Sequence, residues 1–550
     1  MTEGEPMTPE ERASVAIESV RLVVGMEIHV ELATASKMFA RVASPAAPVL
    51  AGNAAAEPAP NTLIDPIVLA LPGSLPGLNR RAVELSILVG LALNCRIADE
   101  TKWDRKSYTY PDLPKGYQIS QYDLPLCYDG HVEVPPLGER GEFDPSGEIT
   151  RVGIIRAHLE EDAGKLSHEA PGGVAIDGSL VDLNRAGTPL LEIVTQPDIR
   201  SAEQAVAFCR LLRTVCRFVG ATEGVMQRGH MRFEPNINCV LMLEGGRTVT
   251  TPIVEVKNLN SFRAVAAAIE HELAEQPKRW RADGRVMGPG AKTTRGWDDA
   301  KGVTFTQREK EDAHDYRYFP DPDIPTLEVS RVWVGEIGAT LPELPLARLR
   351  RWHDDLGLDP ADGMTLVEER RDAELFDEAV NAAVQAGLAR DRAGKAVSNV
   401  VLQHMARLAN ERSKQIGDQA EDGSGGGPVL ISGLGLSAKQ IASIAKLRED
   451  DAIQASNAGK LVERLADPAY ADRDAEAVAE YEGWLIVRDE GAMAAWIDEV
   501  IAANPSIVEQ IRGGKQQAAG RLIGEVMKKS GGSADAKAVR EMLLERIGSD

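Results

Sequence analysis

The run VVGMEIHVEL, residues 23–32, constrains the fold more than any other part of the sequence. In it Val24, Met26, Ile28, Val30 and Leu32 alternate with Gly25, Glu27, His29 and Glu31. A period of two marks a β-strand with one face in a core, so Glu27, His29 and Glu31 share the other face. Four further segments follow the same logic. In RFEPNINCVLML, Phe233, Ile237, Cys239 and Leu241 oppose Arg232, Glu234, Asn236 and Asn238. In IIRAHLEED, Arg156, His158, Glu160 and Asp162 share a phase, and Glu161 lies opposite if the strand is regular. PLLEIVTQ sets Glu192 inside an apolar run, and PIVEVKN puts Glu255 and Lys257 in phase. Several strands with one apolar and one polar face imply a largely antiparallel sheet within an α+β domain.

One such polar face alone is ordinarily just solvated. Several strands that carry carboxylates, a histidine and paired Asn and Arg, with Glu inside apolar runs where an unpaired charge is costly, point to a built site. Clustered Glu with one His and no thiolate suits a hard cation such as magnesium, which bridges phosphates. No GxxxxGK[ST] phosphate loop occurs, so an ATP site here would consist of carboxylates, metal and basic residues on a sheet. A zinc hydrolase lacks its HExxH or Cys/His quartet. A two-carboxylate glycosidase leaves the basic residues without a role.

From Leu341 onward the pattern turns helical, as in DAELFDEAVNAAVQAGL and SNVVLQHMARLANERSKQ, and GDQAEDGSGGGP (417–428) reads as a flexible linker. The last 50 residues read as two helices. Ala518, Ala519, Leu522, Ile523, Val526 and Met527 form the stripe of the first, with Lys515, Arg521, Lys528 and Lys529 off it. The second begins near Ala536, with Val539, Met542, Leu543 and Ile547 inward.

The net charge of −22 excludes a surface that is basic throughout, yet residues 511–550 carry eight Lys/Arg against five Asp/Glu, a local basic patch for nucleic acid or simply a solvated face. At 550 residues the chain has length for several domains. Its first 17 residues lack the pattern of a signal peptide, and no apolar run reaches the roughly 18 residues of a membrane span, so a cytoplasmic location is expected. The five cysteines form no CxxC pair. Cys209 and Cys216 sit seven residues apart in a helical stretch, about 10 Å along its axis and too far for a disulfide. They share a stripe with Phe208, Leu212, Val215 and Val219 and read as core.

Longer blocks carry a resemblance. VVGMEIHVELATASKMF, DRKSYTYPDLPKGYQISQYDLPL, HLEEDAGKL, DLNRAGTPLLEIVTQPD, VEVKNLNSFRAVAAAIEHE, YRYFPDPDIP, LPELPLARLRRW and NPSIVEQIRGGKQQAAGRLIGEVMKK resemble, in order, blocks of the B subunits of bacterial glutamyl/aspartyl-tRNA amidotransferases. The resemblance spans roughly residues 20–550. It implies a mostly antiparallel catalytic cradle related to glutamine synthetase over 18–336, an all-α helical domain over 337–480, and a small helical tail domain over 481–550 that binds tRNA. It also implies an amidase (A-type) partner releasing ammonia from glutamine and a small C-type subunit clasping the two. ATP and Mg2+ would serve phosphorylation of the side-chain carboxylate of Glu on tRNA(Gln) or Asp on tRNA(Asn), and ammonia would then displace phosphate.

Carried over position by position, the resemblance makes Glu27, His29, Glu160 and Glu192 metal ligands. Glu160 and Glu161 become the catalytic pair that also receives ammonia, and the HLEED segment should bend, bulge or end its strand to bring both to the site. Lys106, Arg232 and Lys257 are candidates for phosphate or carboxylate contacts, with ion pairing as the alternative. Lys515, Arg521, Lys528 and Lys529 are candidates for tRNA contacts. Two departures stand out. Many relatives carry zinc-binding cysteine pairs where this chain has none in residues 40–68 and places Asp65 and Val68, so no zinc is expected and local packing must hold the loop. The family's acidic MEEG and S-[LM]-R-C-D-A-N read here as MQRGHMRFEPN, with Gln227, Arg228 and Glu234 at changed positions. Competing readings are a free-standing amide ligase for a small carboxylic acid and a non-catalytic tRNA-binding assembly protein.

Overall fold

The computed structural model describes residues 7–47, 58–170, 174–309, 316–419, 429–486, 490–513, 516–531 and 533–548. The chain divides into two compact units, Met1–Arg348 and Leu349–Asp550.

The alternating segments of the first unit are realised as strands of one 13-stranded sheet. At its centre runs Ile17–Glu31, whose Val24, Met26, Ile28 and Val30 are fully buried on one face. It pairs antiparallel with Pro189–Thr195 on one side and Met231–Leu243 on the other. Thr150–Glu161 continues the sheet beyond Pro189–Thr195, and Val254–Lys257 continues it beyond Met231–Leu243. Tyr117–Ser120 and Asp104–Ser107 extend it further, and Phe319–Pro320 lies alongside Asp104–Ser107. Val254–Lys257 and Thr293–Asp298 run parallel, within an otherwise antiparallel sheet. The α+β expectation is met.

Three helices cover the apolar face. Arg80–Ala92, Ala202–Phe218 and Phe262–Asp283 each begin at a polar cap (Asn79, Ser201, Ser261) whose side chain accepts from a backbone N–H of the first turn. Phe262 meets Phe233 of the Met231–Leu243 strand edge to face, with ring centroids 5.8 Å apart. Cys209 and Cys216 lie in the core, and all five cysteines are free and buried.

The described parts of residues 40–68 pack locally. Ala40, Val68 and Ala186 form a small core with Val42, Ile64, Ile67 and Leu183 around it. Asp65 accepts from the Val68 N–H at 2.9 Å. The fully buried Lys37 donates to the carbonyls of Ala186 and Leu183 at 2.6 and 3.3 Å, tying the loop to the turn that precedes Pro189–Thr195.

The second unit is helical. Arg370–Gln385, Arg390–Ser398 and Ala438–Glu449 are among its longer elements. Residues 493–547 build a core of their own from Ile497, Leu522, Val526, Val539 and Leu543, among others. Ala519–Lys529 and Ala536–Gly548 match the expected helices. The two-helix reading of the last 50 residues is corrected by Pro505–Arg512. Pro505 there opens a short helix at the one position where its missing N–H costs nothing. Residues 420–428 of the expected linker lie outside the described residues, as does Lys515.

Candidate active site on the polar sheet face

Directly opposed residues of an antiparallel sheet project to the same face, so the register turns five strands into an ordered array. One row reads Arg232, His29, Glu192, His158; the next reads Glu234, Glu27, Val194, Arg156; a third reads Glu31, Leu190, Glu160, Ser120. Each row is two residues from its neighbour, the repeat at which side chains return to one face.

His29 is the hub. Its Nε2 lies 3.6 Å from Glu192 Oε2 and 3.9 Å from Glu27 Oε1, and its Nδ1 lies 3.9 Å from Glu234 Oε1. Two overlapping donor groups result, His29 with Glu160 and Glu192, and His29 with Glu27 and Glu234, each with its ligand atoms within 4.8 Å of one another. The structure places the four expected ligands in these two groups, which share His29, and adds Glu234, at one of the changed positions. A carboxylate-rich set with a single imidazole fits a hard divalent cation. Among the described residues the buried Nδ1 atoms of His29 and His158 have no hydrogen-bond partner.

The buried carboxylates, histidines and lysine of the cluster shift one another's protonation strongly. Burial pulls the His29 imidazole down, but its close contact with Glu192 and the charges of Glu234 and Glu192 prevail and raise it to about 9. Burial pushes Glu160 up to about 7; Glu192 adds to the rise, while Lys106 and His29 oppose it. Glu192 is buried as well, yet its neighbours His158 and His29, with Lys106, hold it well below the ordinary carboxylate range. Burial brings His158 itself down to about 4, so it is neutral at pH 7 and the positive charge beside Glu192 resides on His29. Burial and the nearby Asp162 lift Glu31 to about 7. A divalent ion among these carboxylates would offset their negative charge.

The two neighbouring glutamates do not share one site. Glu160 accepts from Ser120 Oγ at 3.1 Å within the cluster. The pairing of Thr150–Glu161 with Pro189–Thr195 runs unbroken from Arg156 to Glu161, and its irregularity lies at Ile154. The strand does end at Glu161, but alternation holds to that residue, which stays in phase with Leu159 on the opposite face. The expected turn of both glutamates into the cluster is thus corrected. The Glu161 carboxylate is buried against Lys115 and accepts from the Ile119 N–H at 3.0 Å.

Arg232 faces Asp162 at 2.9 Å, and Lys257 faces Glu234 and Glu255, the latter at 2.9 Å, so both cations form ion pairs. Lys106 lies 5.3 Å over the Tyr316 ring, and the charges of Glu160 and Glu192 help to raise its ammonium above the usual lysine range despite burial. The tyrosines of two distant blocks meet around it. Tyr108 contacts Tyr316, and Tyr122 stacks on Tyr318 at 4.3 Å. Gln227 and Arg228 form an exposed turn ahead of the Met231–Leu243 strand. In the second unit Arg521, Lys528 and Lys529 are exposed, and Lys529 is paired with Glu499. Sequence reasoning gave no role to Lys115, His158 or Arg156. The phase of IIRAHLEED did carry a signal for the last two; Lys115 had none beyond its place in the tyrosine–proline block.

The residues of the array fall within a stretch that matches a known family. Residues 22–335 match the family model of the GatB/GatE catalytic domain, and residues 376–547 match that of the GatB domain. The B subunit of the aspartyl/glutamyl-tRNA(Asn/Gln) amidotransferase of Rhodopirellula baltica is 39% identical over 530 residues, 96% of this chain and 97% of that protein. Its counterparts in Carboxydothermus hydrogenoformans and Symbiobacterium thermophilum are 38% and 40% identical, over 96% of this chain and 98% and 97% of their own lengths. Since both units are matched, and the first match contains every strand that carries the histidine–carboxylate array, the chain belongs to the GatB family.

Proposed function

We propose that this chain is the carbon–nitrogen ligase subunit that amidates Glu on tRNA(Gln), Asp on tRNA(Asn), or both. It phosphorylates the side-chain carboxylate with ATP, and ammonia from a partner amidase subunit then displaces phosphate. Activation is needed because an unmodified carboxylate oxygen is a very poor leaving group, whereas phosphate departs readily. The observation that carries this reading is the array of His29, Glu27, Glu160, Glu192 and Glu234 on one sheet face, within a chain of this family.

Magnesium held by these residues would neutralise phosphate oxygens and polarise the group being transferred. The residues' own parts follow from their places. His29 must give up its proton before its Nε2 serves as a ligand, and Glu192 is ready as an anion. Glu160 joins the cluster from the third row, steadied by Ser120. Glu161, held by Lys115 away from the cluster, is suited to receive ammonium. The exposed basic residues Arg521 and Lys528 supply tRNA contacts. An A-type amidase and a small C-type subunit complete the assembly, in the cytoplasm; among the described residues no helix is long and apolar enough to cross a membrane.

The test is ATP hydrolysis by the assembled complex. Misacylated tRNA should stimulate it strongly and free glutamate or aspartate should not. Equal stimulation by the free amino acid would favour a small-molecule amide ligase. ATP turnover absent from the wild type, with tRNA still bound, would favour an assembly protein.

A further inference from the structure

Phosphoryl transfer spreads negative charge over the equatorial oxygens of the moving group, and a positioned cation there accelerates it. Most cations near the array already have carboxylate partners. Asp162 engages Arg232 and Arg185, Glu234 and Glu255 engage Lys257, and Glu161 engages Lys115. The ammonium of Lys106 is covered by the Tyr316 ring and compensated by Glu160.

Arg156 differs from all of these. It lies on the same face, in the row Glu234, Glu27, Val194, Arg156. The side chain is partly exposed, and its Nε is buried without a hydrogen-bond partner among the described residues. A guanidinium nitrogen shut off from water and left unpaired costs free energy that a bound anion would recover. The residue between Arg156 and Glu27 is Val194, partly exposed and uncharged. Adjacent strands are spaced by about 4.8 Å, which sets the backbones of Glu27 and Arg156 about 10 Å apart. The space above Val194 is thus bounded by Glu27 on one side, Arg156 on the other, and His29 and Glu192 in the next row.

We infer that Arg156 is a catalytic residue whose guanidinium holds the γ-phosphoryl oxygens of ATP above Val194 while the group is transferred. The inference rests on the ATP-dependent reading above. In the step, an oxygen of the substrate carboxylate forms a bond to the γ-phosphorus as the bond from that phosphorus to the β–γ bridging oxygen breaks. The bonding electron pair leaves with ADP, and no proton is gained or lost. Arg156 donates N–H hydrogen bonds to oxygens that become equatorial, so its contribution grows toward the transition state.

The experiment compares wild-type, Arg156→Gln and Arg156→Lys chains in the assembled complex with magnesium. Affinities for ADP and for ADP with aluminium fluoride, a planar mimic of the moving phosphoryl group, are measured alongside single-turnover ADP formation with misacylated tRNA. Arg156→Gln should change ADP affinity by less than about threefold, yet weaken the mimic and slow ADP formation by about 10³-fold, the scale of an arginine acting on a transferring phosphoryl group. Arg156→Lys should fall between the two. Equal weakening of ADP and the mimic, or no weakening of either, overturns the inference. If the wild-type complex forms no ADP from ATP, the functional reading fails and the inference with it; if it does and Arg156→Gln matches its rate, only the inference fails.

Discussion

Replacing Lys115 with Met should be among the most damaging single changes in the first unit, although Lys115 lies outside the histidine–carboxylate array. The Lys115 side chain is 10% exposed and that of Glu161 is 4% exposed, so the pair is nearly removed from water. Deleting one member of such a pair strands the other as a buried charge, at a cost of about 3–5 kcal/mol. Glu161 keeps its hydrogen bond from the Ile119 N–H, which points to the lower end, about 3 kcal/mol or roughly a hundredfold in the folding equilibrium. Glu161→Gln should cost less, because the amide oxygen can still accept from the Ile119 N–H and from the Lys115 ammonium, although that ammonium loses its counterion. The double variant Lys115→Met with Glu161→Gln should be more stable than Lys115→Met alone. Urea denaturation of the four proteins gives the coupling energy directly. If Lys115→Met costs under about 1 kcal/mol, or the two changes simply add, the pair is solvated and the reasoning fails. Amide formation by Glu161→Gln supplies the functional arm, since an unchanged rate would leave Glu161 a purely structural group.

Cation binding should strengthen with pH, because the ion displaces a proton that His29 retains up to about pH 9; Mg2+ or Mn2+ titrations of the chain should gain about tenfold in affinity per unit between pH 7 and 9, and a flat profile would remove His29 from the ligand set. His158 should make the fold acid-sensitive. Its folded value of about 4 lies below the unfolded 6.5, so the unfolded chain takes up the proton first and stability is lost as pH falls through that window, by about 3 kcal/mol in full. Unfolding of His158→Gln should show a correspondingly shallower fall between pH 6.5 and 4, and an identical profile would assign the lability elsewhere. In the tail, Lys528→Ala and Arg521→Ala should each weaken tRNA binding and lower the salt slope by about one. Lys529→Ala should do less, because Glu499 already holds that ammonium; equal losses at Lys528 and Lys529 would contradict this ordering.

The strands were legible because their information is local. The alternation around Glu27 and His29, and that around Glu234, survives in the register almost residue for residue. What no local pattern contains is which strands become neighbours. Opposition of His29 to Glu192 and Arg232 joins residues more than 160 positions apart, and it is this pairing that makes a site from separate polar faces. The meeting of Tyr108 with Tyr316, and of Tyr122 with Tyr318, depends likewise on Phe319–Pro320 lying beside Asp104–Ser107. The Pro505–Arg512 helix escaped notice because only Ile507, Val508 and Ile511 mark its buried stripe, too short a pattern to separate from a loop.

Glu160 and Glu161 show how much a strict alternation can accomplish. One peptide unit apart, they project to opposite faces, Glu160 among carboxylates and histidine, Glu161 against a lysine. On the first face the carboxylates with His29 would hold a divalent ion, and burial has driven Glu160 up to about 7, so such an ion would favour its ionised form. On the second face the same side chain is already neutralised by Lys115. Under the proposed function, ammonium arriving there would compete with the Lys115 ammonium for the Glu161 carboxylate. The strand has to stay regular to its last residue for this division to exist. A bulge at Glu160 would bring both carboxylates to one side, adding a further negative charge to the metal-type cluster and leaving Lys115 without its counterion. The regular ending of Thr150–Glu161 thus gives two adjacent carboxylates different electrostatic surroundings, which under the proposed function would suit them to different parts of the reaction.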